Sequence, residues 1–401
     1  MNYTKEEVIQ YINEEDVKFI RLAFCDVYGN QKNISIMPGE LPRAFEYGIA
    51  IDASAVQGFG DEFHSDLFLH PDPDTLMYLP WRPEHGKVMR MFSDIRHPDG
   101  SLFECDTRSL LKKAVEDAKR EGLSFSFGAE QEFYLLNLDE DGNPTDTPYD
   151  DAGYMDLAPR DKGENVRREI CLTLEQMGIS PESSHHEEGP GQNEIDFRYS
   201  DALSAADNVL TFQNVVRTTA YRNGLYADFS AKPFEDKPGN GFHINMSVRA
   251  KDNKDHLHPM MAGILDKVKD MTVFLNPTPA SYSRLGQYKA PGYISWSEEN
   301  RSQLLRVPAA IGQYRRVELR SPDPMTNPYL AFTLLIYAGL HGIVDNVPLP
   351  EPANINLYTA DEATLSKYTR LPMDLDSARK LASESEFIKK YINADILKMY
   401  C

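Results

Sequence analysis

Two periods of hydrophobic alternation divide the chain. From Val17 to about Asp94 the apolar residues come in short runs of β type, of which VKFIRLAFCDVYG (17–29) is the clearest. Turn signals at Gly29-Asn30 and Pro38-Gly39 and a Pro-rich stretch, HPDPDTLMYLPWRP (70–83), separate these runs. The pattern predicts a small sheet-containing domain over residues 1–100. After HPDG (97–100) the period lengthens. Leu110, Leu111, Ala114, Val115 and Ala118 fall on one helical face between Thr107 and Glu121, with Thr107 placed as the N-cap. This helix opens a larger domain, 101–401.

Strand and helix patterns alternate beyond it. FSFGAEQEFYLLNL (125–138) reads as a strand ending in the turn DEDGN, and Glu130, Glu132 and Tyr134 share one of its faces because strand side chains alternate with period two. A long polar loop (145–163) leads to a helix over 164–178, and a strand-like cluster over 185–197 leads to a helix from about Ser204 to Asn223. FSAKPF (229–234) and GNGFHINMS (239–247) follow. The longest apolar run, YLAFTLLIYAGLHGIV (329–344), falls about three residues short of the ~18–20 that span a bilayer. Gly339, His341 and Gly342 interrupt it, so it predicts a buried helix. The sequence shows no internal repeat or low-complexity tract, and the fold class expected is α+β.

Composition narrows the function. A chain of 401 residues with 41% hydrophobic residues can bury a substantial interior and suits one small and one large domain. Its formal net charge of −20 excludes a nucleic-acid backbone or an anionic membrane as partner, since neither offers counter-charge. Arginines and lysines that recognise anions must therefore be gathered locally. Cys25, Cys105, Cys171 and Cys401 stand far apart without CxxC spacing, as in a reducing cytoplasm. Glu6 and Glu7 occupy the start of the chain where a secretory signal would be apolar, so no such signal is expected.

Candidate chemistry sits in three charged segments, GAEQEF (128–133), HHEEGPGQNEIDF (185–197) and RRVELRSPDP (315–324), with GNGFHINMS between the last two. Each has an ordinary reading by itself. Glu130 and Glu132 alone would be a solvated strand face, His185 and His186 ordinary histidines of a polar loop, and His243 a satisfied core histidine between Phe242 and Ile244. Their joint occurrence weakens those readings. Glu318 and Arg320 also share a strand face, and opposed charges facing inward are expensive unless paired or functional. Carboxylates and an imidazole among basic residues suit a divalent metal, phosphate and a small anionic substrate.

The chain resembles the glutamine synthetase superfamily, bacterial type I. The segments carrying the likeness run over nearly the whole length: IDASAVQGF (51–59), SDLFLHPDP (65–73), GAEQEF, SSHHEEGPGQNEIDF, AKPF, GNGFHINMS, NPTPASYSRL (276–285), SWSEENRSQLLRVP (295–308) and RRVELRSPDPMTNPYLAF (315–332). The resemblance implies a small β-grasp N-terminal domain and a catalytic domain built on a curved antiparallel sheet. It implies ATP and two to three Mg²⁺ or Mn²⁺ ions as cofactors, held by Glu130, Glu132, Glu187, Glu194, His243 and Glu318. Glu132, Glu187 and Glu194 would form one all-oxygen set, and Glu130, His243 and Glu318 would hold a second ion against the ATP phosphates. Arg284, Arg301, Arg306 and Arg320 match arginines that bind glutamate, phosphate or the transferring group, for which bidentate guanidinium contacts are suited. Glu182, Ser247 and Arg316, with Arg306, match nucleotide-site positions, and Gly239 and Gly241 would let backbone approach the amino-acid substrate. Asp52 and Asp66 keep the acidic positions that bind and deprotonate the amine. The family's reaction activates the glutamate γ-carboxylate as a γ-glutamyl phosphate, which ammonia or another primary amine then attacks.

Departures from the pattern gather on the acceptor side. Where the family has a Glu in a Pro-Gly-Tyr-Glu-Ala-Pro flap, this chain has RLGQYKAP, with Lys289 in its place and one residue fewer. A cation there repels ammonium where a carboxylate attracts it and takes its proton, which makes Lys289 a candidate catalytic position together with Asp52, Arg301 and Arg320. Pro238 replaces an Asn, and Ala55 a Ser near the amine pocket. The sequence ends at KMYC where relatives carry a tail joining two six-membered rings, so either a hexamer or a dodecamer is expected, with active sites between subunits. Tyr358 aligns with a tyrosine that some relatives adenylylate, but Thr359 and Ala360 replace its usual neighbours, and that control is not expected. Three functions follow: ligation of glutamate to ammonia or, given Lys289, to a different amine; glutamine synthesis itself, with Lys289 moved out of the pocket; or a non-catalytic regulator that binds nucleotide or glutamate. Retention of all six metal positions weighs against the last.

Overall fold

Short apolar runs broken by turn residues cannot bury a face alone, and in the N-terminal part they pair into a sheet. The computed structural model describes residues 3–60, 65–82, 85–252, 254–310, 312 and 315–401; Pro83, the last residue of the Pro-rich stretch, lies outside them. Helix α1 (Lys5–Glu14) starts at a capping box between Thr4 and Glu7. Strands β1 (Val17–Cys25) and β2 (Gln31–Ile36), helix α2 (Leu41–Tyr47), and strands β3 (Ile49–Asp52), β4 (Asp66–Pro71), β5 (Met77–Tyr78) and β6 (Lys87–Arg96) follow. The sheet order is β2-β1-β6-β4-β3, with β5 on β6. The β1–β6 pair is parallel, and Ile20, Leu22, Met91 and Phe92 are buried along it. Arg108 and Lys112 both reach Asp72 and Asp94 at 2.7–3.2 Å.

Compact units divide at Lys112: residues up to Lys112 with Gln176–Gly178 form one, and Lys113–Glu175 with Ile179–Cys401 the other. Helix α3 (Thr107–Arg120) runs through that boundary. Its cap lies one residue earlier than the pattern predicts. Asp106 accepts from the Arg108 N–H at 3.2 Å and the Ser109 hydroxyl at 2.5 Å, and Thr107 is the first helical residue.

In the larger unit, β7 (Leu123–Leu138) is the central strand, followed by β8 (Pro144–Pro148) and α4 (Glu164–Gln176). The predicted loop over 145–163 thus contains most of a short strand. The cluster predicted as one strand over 185–197 is a hairpin, β9 (Pro181–His186) and β10 (Gln192–Asp201), because Gly189-Pro190-Gly191 turns the chain and Gly191 sits at φ +70°. Then come α5 (Ala202–Arg222), β11 (Leu225–Asp228), β12 (Phe242–Ala250), α6 (Leu257–Leu275), α7 (Pro279–Arg284), β13 (Trp296–Glu298), β14 (Leu305–Val307), β15 (Val317–Leu319), α8 (Pro328–Val344), α9 (Glu362–Leu365), α10 (Leu375–Glu384), α11 (Glu386–Tyr391) and α12 (Ala394–Tyr400). The sheet order is β13-β14-β15-β12-β7-β10-β9, with β8 and β11 also on β7, and every pair but β13–β14 is antiparallel.

Helices cover one face of this sheet. Phe127 of β7 stacks on Phe332 of α8 with centroids 4.2 Å apart, while Phe133 and Phe197 meet Phe212 of α5. The 329–344 run is helical and almost wholly buried, and among the described residues no helix is long and apolar enough to cross a membrane. Its contact with α6 needs glycine. A Cβ on Gly263 would stand 2.0 Å from the Ala338 carbonyl oxygen, and one on Gly342 2.0 Å from that of Pro259.

Candidate active site

The uncovered face of the large sheet carries the charge, and strand register explains how. Glu130 of β7 lies opposite His243 of β12 and Asp196 of β10, and Glu132 lies opposite Glu194. Arg306 of β14 lies opposite Glu318 of β15, which lies opposite Asn245 of β12. Residues far apart in sequence therefore form three rows across neighbouring strands, since partners directly opposite have Cβ atoms about 4.5–5.5 Å apart. Glu130, Glu132, Glu194, Asp196, His243 and Arg306 line a cavity of about 600 Å³ together with Gln192, Gly239, Arg284, Lys289, Arg301 and Arg320.

Hydrogen bonds fix these side chains. Glu132 accepts from the Gly241 N–H at 2.8 Å and the Gln192 amide at 3.0 Å. Glu130 accepts from the Asn245 amide at 2.6 Å, with His243 Nδ1 at 3.4 Å. Glu318 accepts from Arg306 at 2.6 Å and Arg320 at 3.3 Å, and His185 Nε2 is 3.0 Å from Glu187. Arg284 donates to the Ser321 carbonyl at 2.7 Å.

Burial raises the carboxyls of Glu130, Glu132, Glu187, Glu194 and Asp196, and their neighbours decide the outcome. For Glu130 it is outweighed by His243, Asn245 and Arg316, which bring its carboxyl down to about 2. His185 and the Glu188 N–H likewise hold Glu187 low. Glu132 is raised by burial with Glu187 adding to it, and Glu194 well above the usual range by burial and by Asp196, Glu132, Glu130 and Glu187. Burial and then Glu130 push Asp196 up to about 7.

Among the described residues, four groupings at the site have ligand atoms within 4.8 Å of one another: Glu130, His243 and Glu318; Glu132, Glu194 and His243; His185, Glu187 and Glu194; and Glu130, Glu194 and Asp196; a fifth, Asp150, Asp161 and His186, lies outside the cavity lining. The first is one of the expected sets. The other, Glu132 with Glu187 and Glu194, is divided, with Glu194 common to the two halves and His185 joining Glu187. Several buried carboxylates without enough cationic partners are the donor set a hard divalent cation requires. Asp196 Oδ1 and Arg320 Nε, both buried, have no hydrogen-bond partner, so the site has unspent polar capacity. A Cβ on Gly241 would stand 2.7 Å from His243 Nε2 and 3.0 Å from Arg284 Nη2, so the glycine keeps this space open. The residues fit a metal-dependent site.

A second pocket of about 120 Å³ adjoins the first through Glu130, Asp196 and Arg316. Glu182, Ser247 and Arg316 line it together, whereas Arg306 lies in the larger cavity. Asp52 and Asp66 line neither. They are register partners at the β3–β4 hairpin of the N-terminal unit, both exposed, and Asp52 accepts from the Ser54 N–H at 3.0 Å and hydroxyl at 2.6 Å.

Sequence reasoning missed Gln192, Asn245, Asp196, His185 and Tyr154 as members of the site. Asp196 and Asn245 were readable, each two residues from an assigned ligand on the same strand face. Tyr154 was not, because its loop has no period.

Residues 104–401 match the catalytic domain of glutamine synthetase and residues 16–98 its β-grasp domain. The chain belongs to the glutamine synthetase family. It is a ligase of that type. A glutamine synthetase of Clostridium saccharobutylicum is 43% identical over 99% of this chain and 93% of its own length, and one of Methanosarcina mazei is 43% identical over 99% and 92%. Among solved structures, one described as a GmaS/ADP complex has a TM-score of 0.89 and 26% identity, covering 100% of this chain and 94% of that one. The fold also matches a Plasmodium falciparum glutamine synthetase, with a TM-score of 0.87 over 99% of this chain and 94% of that one, at 22% identity.

Proposed function

We propose that the protein is an ATP- and divalent-metal-dependent ligase that joins the γ-carboxylate of glutamate to ammonia or another primary amine through γ-glutamyl phosphate. The observation that carries the reading is the convergence of Glu130, Glu132, Glu187, Glu194 and His243 with Arg284, Arg301, Arg306 and Arg320 on one cavity, with Glu318 grouped with Glu130 and His243. Bound divalent ions would neutralise phosphoryl charge and orient the substrate carboxylate. The chain itself would hold glutamate between Arg284 and the backbone at Gly239 and Gly241. Arg320 and Arg301 would meet the transferring phosphoryl group, and Arg306, already on Glu318, would face the phosphates. The pocket of Glu182, Ser247 and Arg316 suits the nucleotide, a reading supported by the neighbour described with ADP.

Asp52 and Asp66 would serve the acceptor amine from a neighbouring copy in a homo-oligomeric ring, and the enzyme would act in the cytoplasm. The test is phosphate release from ATP with Mg²⁺ and glutamate, with mass spectrometry of products across ammonium and a panel of primary amines. A γ-glutamyl amide is expected, and Glu132→Gln should lower its formation by at least 100-fold. ATP hydrolysis that ignores both glutamate and amine would sink the proposal.

A further inference from the structure

Where the resemblance puts an amine-binding carboxylate, this chain has an ammonium group of its own, and the structure shows what that group touches. Lys289 Nζ forms an ion pair with Glu188 and stands 5.5 Å from the ring centroid of Tyr154. Tyr154 in turn meets the His185 ring edge-on at 5.4 Å, and His185 bonds Glu187. A carboxylate and an aromatic face converging on one point are the two elements that recognise an organic ammonium ion. All of these residues line the large cavity.

The ion pair is half-exposed, with the Lys289 side chain at 57% and Glu188 at 34%, so the pair by itself does little to fix the lysine. The backbone does more. The Lys289 carbonyl accepts from Arg320 Nη2 at 3.4 Å, and the single proton of the Tyr358 hydroxyl is shared between the Lys289 carbonyl and the Arg301 carbonyl, the latter at 2.8 Å. A tight turn completes the hold: Gln287 N–H donates to Arg284, Ala290 N–H to Gln287, and Gly286 N–H to Ala290. Lys289 is thus delivered to the Glu188–Tyr154 position by a rigid loop.

We propose that Lys289 is a tethered cation occupying the place of a protonated amine, and that it sets acceptor choice by competition. The inference rests on the ligase reading and names the acceptor class for it. A group held on a short tether competes at an effective concentration of about millimolar or above. Free ammonium or methylammonium brings little beyond its charge and loses that competition. A primary amine with a larger body makes further contacts in the cavity and displaces the lysine, so the preferred acceptor is an amine of that kind.

The experiment compares the full-length protein with Lys289→Met, which keeps the length of the side chain and removes its charge. Broadening of the methyl proton resonance of methylammonium, titrated with Mg²⁺ present and at fixed ionic strength, reads binding directly. Lys289→Met is expected to bind methylammonium at least tenfold tighter than the unaltered protein, and Tyr154→Leu added to it should abolish the gain. In the phosphate-release assay with glutamate, the KM for ammonium should fall at least tenfold in the single variant. Equal methylammonium affinity in the two proteins would overturn the proposal, as would a gain that survives Tyr154→Leu. If the unaltered protein turns over no amine with glutamate, the ligase reading fails while the titration still decides the position of the lysine. Lys289→Gln serves if the methionine variant does not fold.

Discussion

On one face of β7, Phe127, Ala129 and Phe133 are buried, with Phe127 against α8 and Phe133 against α5. On the other, Glu130, Glu132 and Tyr134 line or adjoin the charged site. The two faces belong to the same residues' backbone and differ only in the parity of position, yet opposite rules govern them. Apolar contact on the first face removes hydrocarbon from water, a gain of roughly 1.5–3 kcal/mol per large side chain. Burial, with like charges added, opposes ionisation on the second face, which is why Glu132 and Glu194 are held above the usual carboxylate range. A sheet can carry such a site because its other face is well packed, and stability and function are then borne by separate halves of one element.

The largest effect should come from breaking the packed face. Phe332→Ala removes the ring stacked on Phe127 and is expected to cost ~3–5 kcal/mol, read as a lower urea midpoint with an unchanged slope. A small loss would show that α8 can close over the gap.

The charged face should respond to pH in the opposite sense to an ordinary paired carboxylate. Asp196 titrates at about 7 in the folded chain against ~3.9 unfolded. Its contribution is therefore fully present below the unfolded value and lost as pH rises through about 7. Metal-free protein should show a Tm that falls between about pH 4 and 7 and levels off above, flattened by Asp196→Asn and reduced by added Mg²⁺. Glu130, brought down to about 2, works in a separate window: its contribution is present above the unfolded value near 4.3 and lost as pH falls through about 2. A Tm that rises across the neutral range would show that the carboxylate rows are not a source of strain.

The smallest effect should come from the N-terminal unit. Asp52 and Asp66 are exposed carboxylates directly opposite each other on β3 and β4. Asp66→Asn should stabilise the chain by a few tenths of a kcal/mol while lowering amide formation. A Tm unchanged within error together with full activity would remove Asp66 from the reaction.

Period-two and helical patterns made much of the fold legible. The strand over 125–138, the buried helix of 329–344 and the pairing of Glu318 with Arg320 all follow from local spacing, because alternation and apolar length are properties of the chain itself. The errors were local too. Asp106 took the cap of α3 from Thr107 because a carboxylate accepts more strongly than a hydroxyl, and glycines at 189 and 191 turned one expected strand into a hairpin. A further carboxyl, Asp196, was visible only as the same-face neighbour of Glu194.

The sequence by itself determined which residue types could face one another: alternating strands, helix-forming stretches, an acidic composition, and the motifs of a ligase family. It could not set register, since cross-strand neighbours such as His243 and Glu130, or Glu194 and Glu132, are separated by scores of residues and meet only when strands align. Tertiary structure alone decided that Glu194 meets the His185–Glu187 pair as well as Glu132, and that the Lys289 ammonium lies on Glu188 beside Tyr154. The physical reason is that these contacts join loops and strands without any shared period. Their geometry depends on where the sheet and the helices behind it hold the chain.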